Sequence, residues 1–573
     1  MTMMLRNNFK TGHTGAEAKG RRWRRARKTF LFLLCVSVSL WPAAGFPDFT
    51  LSLRAQAAPV QHSADRTELH QALLDLTNLW TVMCVAAHPD DEDGATLTLL
   101  RRKHGAHTVT LFSTYGEGGQ NAIGPELYEE LGVIRARETL KAADIQGSQA
   151  HFLALRDFGF SKSAEETFRI WDREEALSRM VLKIRKLRPD VIITNHDITS
   201  GHGHHQATGR LVEEAFDAAA DASRFPEQLI GLSVWQPQRL FVRVNYESGT
   251  GSKKLEDTAA RTGEIVSIDP NERDAVRGST YAEQALQALQ QHASQGPWPQ
   301  TIPKEGAPII RYRLARQSKG VAALPSNTRT FFDRLRLNEN YAMPPNPLTI
   351  DGRPLTDFVS ERVRVLEALI AARKSKLFSV PSTEKDNWRY SRLNPRLTEA
   401  LVKASGVKAS LTSQSSVLVP GTKTTFSLTV SNQGDKEVHI RGAMFTGAGT
   451  GMDGLRKINL RGNLSPQKSM SAEIELEIPA TARMTVPHAA HLYDDTLFGE
   501  AYSVGIMFDI VGERVILPLS AFTRVDVAPA VEIASIIPSP YIFTPANLNQ
   551  PLSFKVRLVN HQDKPFKGEF GIA

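Results

Sequence analysis

The sequence predicts an α/β protein, with a Rossmann-like, mostly parallel sheet in its first half and β-sandwich (immunoglobulin-like) modules after it. Three observations predict this. Short apolar runs alternate with helix-period segments from Leu79 to Asn195, the order that builds a parallel sheet covered by helices. Beyond residue 401 the apolar period changes to two, as in Thr425-Phe426-Ser427-Leu428-Thr429-Val430, which is the signature of half-buried strands. A pattern within that half also repeats: Phe426, Leu428, Val430, Asn432, Asp435 and Lys436 recur 128 residues later as Phe554, Val556, Leu558, Asn560, Asp563 and Lys564.

In chain order, residues 1–57 read as an export leader of bacterial type. Arg21, Arg22, Arg24, Arg25, Arg27 and Lys28 precede an apolar run from Phe30 to Leu40, shorter than the ~20 residues of a spanning helix. Small-residue cleavage sites follow at Ala43-Ala44-Gly45 and at Ala55-Gln56-Ala57. The expected location is periplasmic or extracellular, with membrane attachment only if the leader is uncleaved. Thr81 to Ala87 fits a buried parallel strand, Gly94 to Lys103 a helix, and His107 to Ser113 a second strand that runs into the turn Tyr115-Gly116-Glu117-Gly118-Gly119. Helices are expected over Pro125 to Ile145 and Ala176 to Leu187, a strand at Val191 to Thr194, and a further helix from Gln206. Residues 58–325 therefore form one α/β domain. Residues 326–400 read as a mixed connector with one good helix, Leu355 to Lys374, and residues 401–528 as a β-sandwich module. Residues 529–573 begin a second copy that stops short, so the sequence is expected to be a fragment or truncated there, with 529–573 poorly packed and 58–400 folding without the modules.

Charge excludes one class of partner. The leader holds ten Lys/Arg against two acids, Glu17 and Asp48, and the net charge of the whole chain is +8, so the remainder is neutral and offers no basic nucleic-acid surface. The two cysteines, Cys35 in the leader and Cys84, allow no internal disulfide in the mature chain and no thiolate metal cluster. Nothing in the sequence sets an oligomeric state.

Two segments carry chemistry. His88-Pro89-Asp90-Asp91-Glu92 follows the first strand directly. His88 and Asp91, three apart, can point the same way from the first turn of a helix, with Asp90 beside them; the competing reading is an acid-capped helix N-terminus. His202-Gly203-His204-His205 follows the strand at Val191; the competing reading is a solvent-exposed histidine loop. Both lie beyond strand ends of one sheet, where they can converge on a three-ligand site with room for water.

These residues carry a resemblance. Ala87-His88-Pro89-Asp90-Asp91-Glu92 with the later histidine loop resembles the PIG-L/LmbE family of zinc-dependent de-N-acetylases, over roughly residues 78–300. Thr114-Tyr115-Gly116-Glu117-Gly118-Gly119, Arg135-x-x-Glu138 and His292-x-Ser294-Gln295 support it. The resemblance implies Zn2+ held by His88, Asp91 and His205, with Asp90 as general base and a protonated His202 stabilising the oxyanion. It further implies removal of an acetyl or other acyl group from the nitrogen of an amino sugar, in a small molecule or a glycan. Arg135, Glu117 and His292 are candidate substrate contacts; each also has a structural reading, Arg135 as a partner of Glu138, Glu117 as part of a turn and His292 as a buried histidine. One departure stands out: the family's second motif usually reads His-Pro-Asp-His, and here Gly203 and His204 replace Pro and Asp. The partner of His202 is thereby left open, with Asp197 as a candidate. Two other functions stay open: a zinc hydrolase of another amide or an ester, and a non-catalytic carbohydrate-binding surface protein.

Overall fold

The computed structural model describes residues 58–573 except 200, 245–264, 326–327, 336–347, 376–383, 448–454, 486–499, 514, 538–554, 563 and 569–573. The leader, Cys35 and most of the polar excursion at 245–275 lie outside the described residues. Helix α1 (Ala58–Asp75) leads into a sheet built from β1 (Thr81–Ala86), β2 (His107–Phe112), β3 (Gln149–Phe152), β4 (Val191–Thr194) and β5 (Arg239–Arg243), all parallel, in the order β3-β2-β1-β4-β5. Two antiparallel strands, β6 (Ile265–Ile268) and β7 (Ile310–Gln317), extend it beyond β5, with β7 next to β5. Helices α2 (Gly94–Arg102), α3 (Glu129–Gln146), α4 (Ala164–Ile170), α5 (Arg173–Leu187), α6 (Gly203–Ala218) and α7 (Tyr281–Leu289) cover it.

The apolar runs explain the burial. β1 and β4 are buried along their whole length, as strands covered on both faces must be. Met83 and Val85 point into one core with α5 and α6, and Val82 and Cys84 into the other with α2. Strand order reverses between β1 and β4, and there the connections leave toward opposite faces, opening a crevice beyond the strand ends. Val85 pairs with Thr194 and Ala86 with Phe112, so the loops after β1, β2 and β4 start at one level.

Two larger sheets stand out among the described residues of the second half. Val407–Ser413, Lys423–Asn432 and Ser469–Glu477 form one; Val438–Thr446, Glu500–Ile510 and Ile516–Val527 are the long strands of the other. Phe426 of the first meets Phe445 and Tyr502 of the second, at ring separations of 5.6 and 4.8 Å. The internal repeat is visible as a recurring hydrogen bond. The Asn432 side chain donates to Lys436 O at 2.9 Å and accepts from the Gly434 N–H at 3.0 Å, while Asn560 donates to Lys564 O at 2.7 Å and accepts from Gln562 at 3.1 Å. In the second copy, among the described residues, Val531–Ile537 pairs only with Lys555–Asn560, and Ile533, Ile536, Leu558 and Phe566 are exposed.

The boundary drawn at 400/401 and the independence of residues 58–400 are revised. Helix α8 (Arg362–Lys374) packs on α9 (Glu384–Ser405), and α9 runs through that boundary. One apolar core links Leu69, Leu73 and Leu76 of α1, Leu366 and Leu369 of α8 and Leu393, Leu397 and Leu401 of α9 to Phe426, Val504 and Leu517 of the β-rich half. Uncovering even four such side chains costs about 6–12 kcal/mol at ~1.5–3 kcal/mol each, comparable to the whole stability of a domain. We therefore expect a 58–400 fragment to aggregate or to melt at least ~10 °C below the 58–528 fragment in thermal unfolding; equal melting temperatures would contradict the shared core.

Candidate metal centre

The chain leaves β1 at Ala86 and enters no helix until Gly94. His88-Pro89-Asp90-Asp91 is therefore a turn and not the first turn of a helix, which corrects the sequence expectation. The acidic cap of α2 is Asp93, whose side chain accepts the Thr96 N–H at 3.0 Å and the Tyr312 hydroxyl at 2.6 Å. The turn still brings His88 and Asp91 together: Asp91 N–H donates to His88 O at 3.2 Å, and Asp91 Oδ2 lies 2.9 Å from both the backbone N and the Nδ1 of His88. Asp90 sits between them at φ 91°, a backbone state that costs a residue bearing a side chain on the order of 1–3 kcal/mol. It is held from both sides. Its N–H donates to Glu92 Oε2 at 3.1 Å, and the Gln295 amide donates to Pro89 O at 2.7 Å.

The loop after β4 meets this turn. Nε2 of His205 lies 3.2 Å from Asp91 Oδ2, and one ligand atom each from His88, Asp91 and His205 fall within 4.8 Å of one another. Two imidazoles and a carboxylate form a donor set suited to zinc or a similar borderline divalent ion. Cys84, the free cysteine among the described residues, is buried within β1. Burial works against the Asp91 charge, but hydrogen bonds from His205 and His88 win and hold its carboxyl well below the usual range. Burial, then the Asp91 carboxylate, push Asp90 up to about 7; a cation in the cluster would act in the opposite sense.

His202 is the N-cap of α6, its Nδ1 accepting the His204 N–H at 3.0 Å, and its Nε2 lies 3.3 Å from the Ser161 N–H. An imidazolium has no lone pair for either contact and a neutral ring has one, so only one of the two N–H groups is accepted at a time. Burial, then His88 and His205, push its pKa down to about 4, and a cation would act in the same direction. The protonated His202 expected from the resemblance is thus replaced by a neutral one, in keeping with its place at a helix N-terminus. Asp197 Oδ1 caps its own turn through the N–H and hydroxyl of Thr199, at 2.7 and 2.6 Å.

Arg135 is buried and braces the glycine turn, donating to Gly116 O, to Gln120 O at 2.6 Å and to Ser294 Oγ at 3.3 Å. Glu138 does not pair with it directly; both bracket Ser294, whose N–H and hydroxyl donate to the Glu138 carboxylate at 2.9 and 2.7 Å. Glu117 accepts the N–H groups of Tyr115 and Asp157 at 3.1 and 2.9 Å and so ties the turn to the 157 loop. His292 is fully buried, 3.5 Å from Glu92 Oε1. Burial opposes its charge, but Glu92 prevails and raises its pKa.

Three residues at the centre were not singled out from the sequence. Asp157 is buried, with its carboxylate 3.9 Å from His88 Nε2 and 3.7 Å from His204 Nδ1. His196 accepts the Ala87 N–H at 2.8 Å, pinning the end of β1 to the end of β4. Phe160, 76% exposed, stands edge-on to His202 at 5.1 Å. The Asp157-Phe158-Gly159 turn has the residue types of a functional loop; the placement of His196 has no local signature.

Residues 83–216 match the family model described as PIG-L, GlcNAc-PI de-N-acetylase. A mycothiol S-conjugate amidase from Streptomyces coelicolor is 28% identical over 277 residues, covering 42% of this chain and 93% of that protein. A 1D-myo-inositol 2-acetamido-2-deoxy-alpha-D-glucopyranoside deacetylase from Rhodococcus erythropolis is 30% identical over 244 residues, covering 37% of this chain and 80% of that protein. Among solved structures, the N,N'-diacetylchitobiose deacetylase of Pyrococcus horikoshii aligns at 23% identity and a TM-score of 0.28, over 38% of this chain and 71% of that one.

The cluster predicts the metal stoichiometry. Full-length protein should bind about one Zn2+ per chain, and His88→Ala, Asp91→Ala or His205→Ala should each weaken binding by more than ~100-fold, beyond the ~10–100-fold expected of residues that only support a ligand. Chelator-competition titration checks this; undiminished binding in all three would remove the site.

Proposed function

Because this chain belongs to the PIG-L family of GlcNAc-PI de-N-acetylases, we propose that it is a zinc-dependent hydrolase that removes an acyl group, acetyl first, from the nitrogen of an amino sugar or its conjugate. The observation that carries this reading is the convergence of His88, Asp91 and His205 with Asp90 in the same turn. In it, His88, Asp91 and His205 hold the ion. When bound, zinc supplies Lewis acidity, which acidifies water and polarises a carbonyl.

The chain's own residues do the rest. Asp90, fixed by Glu92 and Gln295, takes a proton from the attacking water and returns it to the departing amine. His202, with Nδ1 accepting the His204 N–H as the helix cap, carries its ring proton on Nε2, gives up the contact with the Ser161 N–H and offers its own N–H to the developing oxyanion. A neutral ring serves this purpose, as the imidazole of triosephosphate isomerase does at its own helix N-terminus.

The amidase among the relatives favours testing acyl groups larger than acetyl as well. Export by the leader remains part of this proposal, as does a docking role of the β-rich half on a larger substrate.

Zinc-loaded full-length protein, assayed on a panel of N-acetylhexosamine conjugates and bulkier N-acyl analogues, should release free amine and acid in equal amounts. Cleavage of esters or non-sugar amides alone would overturn the amino-sugar assignment. Asp90→Asn should keep its zinc and lose ~10²–10⁴-fold in kcat. His202→Phe should keep zinc and lose ~10²–10³-fold; near-wild-type turnover in either removes that residue from the mechanism.

A further inference from the structure

The family motif leaves His204 without a role, and the geometry gives it one. We propose that His204 is a positioning residue for His88: it accepts a hydrogen bond from the Nε2–H of His88 and so holds that ring with Nδ1 presented to the metal. The inference rests on the metal centre proposed above.

The two nitrogens of His88 face different neighbours. Nδ1 lies 2.9 Å from Asp91 Oδ2, on the side of the cluster shared with His205. Nε2 lies 2.9 Å from Nδ1 of His204. Two imidazole nitrogens at that separation share one proton, one donating and the other accepting. A ring that gives its Nδ1 lone pair to a metal carries its proton on Nε2, and metal-bound histidines characteristically donate that second N–H to a fixed acceptor. His204 Nδ1 is that acceptor here.

His204 is built to stay in place. It is fully buried on the first turn of α6, stacks on Trp171 at 5.0 Å and 22°, and meets the edge of Phe158 at 4.4 Å. Trp171 is anchored in turn by its Nε1–H to Arg156 O at 2.7 Å. The departure at Gly203 belongs to the same device. A Cβ there would lie 2.3 Å from Ser161 Oγ and 2.4 Å from Ser163 O, so α6 starts too close to the 161–163 segment for a proline or any other side chain. Where the family carries an Asp, this chain has an uncharged acceptor, and the Asp157 carboxylate, from another loop, lies beside the contact, 3.7 Å from the same His204 Nδ1 and 3.9 Å from His88 Nε2. His204 could instead be a ligand itself, with His88 and His202; the experiment separates the two.

Asn and Leu are close in size and leave the same space at position 204, but only Asn places an acceptor where Nδ1 was. In full-length protein titrated with Zn2+ against a chelator, and with Co2+ by its absorption spectrum, His204→Leu should bind ~10–100-fold more weakly than wild type. His204→Asn should stay within about threefold of wild type, with the wild-type Co2+ spectrum. Equal affinities in wild type and His204→Leu would overturn the proposal. So would an Asn variant as weak as the Leu variant, which would make His204 a ligand or a packing residue. A measurement on the wild type alone covers the case in which neither variant folds: a histidine-selective 15N spectrum of the zinc-loaded protein should show His88 protonated at Nε2, and protonation at Nδ1 would refute the idea. If wild-type protein takes up neither Zn2+ nor Co2+, the metal centre itself falls; if it binds both and the variants match it, only the role of His204 falls.

Discussion

One carboxylate oxygen, Oδ2 of Asp91, ties the turn after β1 to the start of α6. It lies 2.9 Å from two nitrogens of His88 and 3.2 Å from His205 Nε2, with His196 Nε2 at 3.8 Å. A half-buried carboxylate is tolerable only when it is paired and hydrogen-bonded, and the partners it needs come from two loops more than a hundred residues apart in sequence. Those loops are also held together by contacts outside the three candidate ligands. Asn195 donates to Asp91 O at 2.6 Å, and His196 accepts the Ala87 N–H. The parallel register of β1 with β4 sets their height. Pairing at Asp91 is therefore the consequence of a backbone arrangement fixed beforehand, as a preorganised site requires.

Behind this point the segment His292–Gln295 acts as a wedge. It reaches the turn through Gln295 and Pro89, helix α3 through Ser294 and Glu138, and Glu92 through His292. Ser294 receives Arg135 and donates to Glu138, so a buried arginine and a buried glutamate are both satisfied through one hydroxyl. A hydrogen-bonded network of this kind rigidifies what it touches. Here it touches the glycine turn at 116–120 and the strained backbone of Asp90. Arg135, Glu138 and His292 thus support the centre through contacts that their spacing in the sequence does not encode.

The parallel core was legible because β1, β2 and β4 are continuous apolar runs ended by the motifs themselves. That a histidine of the 202–205 loop would join His88 and Asp91 was legible for the same reason, since loops beyond the strand ends of one sheet can converge; the choice of His205 came from the family resemblance. What escaped depends on contacts that spacing does not encode. His204 had no role that its place in the sequence could assign, and its ring faces His88, 116 positions earlier. Asp157 enters from a third loop. The helix over His88–Asp91 was a misreading of a proline-led turn, in which Asp93 performs the capping that Asp90 and Asp91 resembled. Helix α9 was missed because Pro395 lies inside it and reads as a stop, which in turn placed a domain boundary where the core is continuous.

That continuity attaches the β-rich half at the end of the sheet opposite the centre. Arg392 of α9 donates to Leu79 O at 2.6 Å, to Asp190 Oδ2 at 3.0 Å and to Arg188 O at 3.1 Å, and Arg396 reaches Asp75 O at 3.0 Å and Asn78 O. These acceptors precede β1 and β4, whereas His88 and His205 follow them. Asp190 also accepts the N–H of Thr81, the first residue of β1, at 2.8 Å, so one carboxylate links α9 to the start of both central strands. At ~3.3 Å per residue, the length of β1 sets this anchor about 20 Å from the candidate metal ligands. The strands that fix the height of the loops at the candidate site at one end are therefore clamped at the other by a helix whose remaining face lies in the core of the β-rich half. This gives that half a hold on the geometry of the centre without contributing any of the residues that compose it.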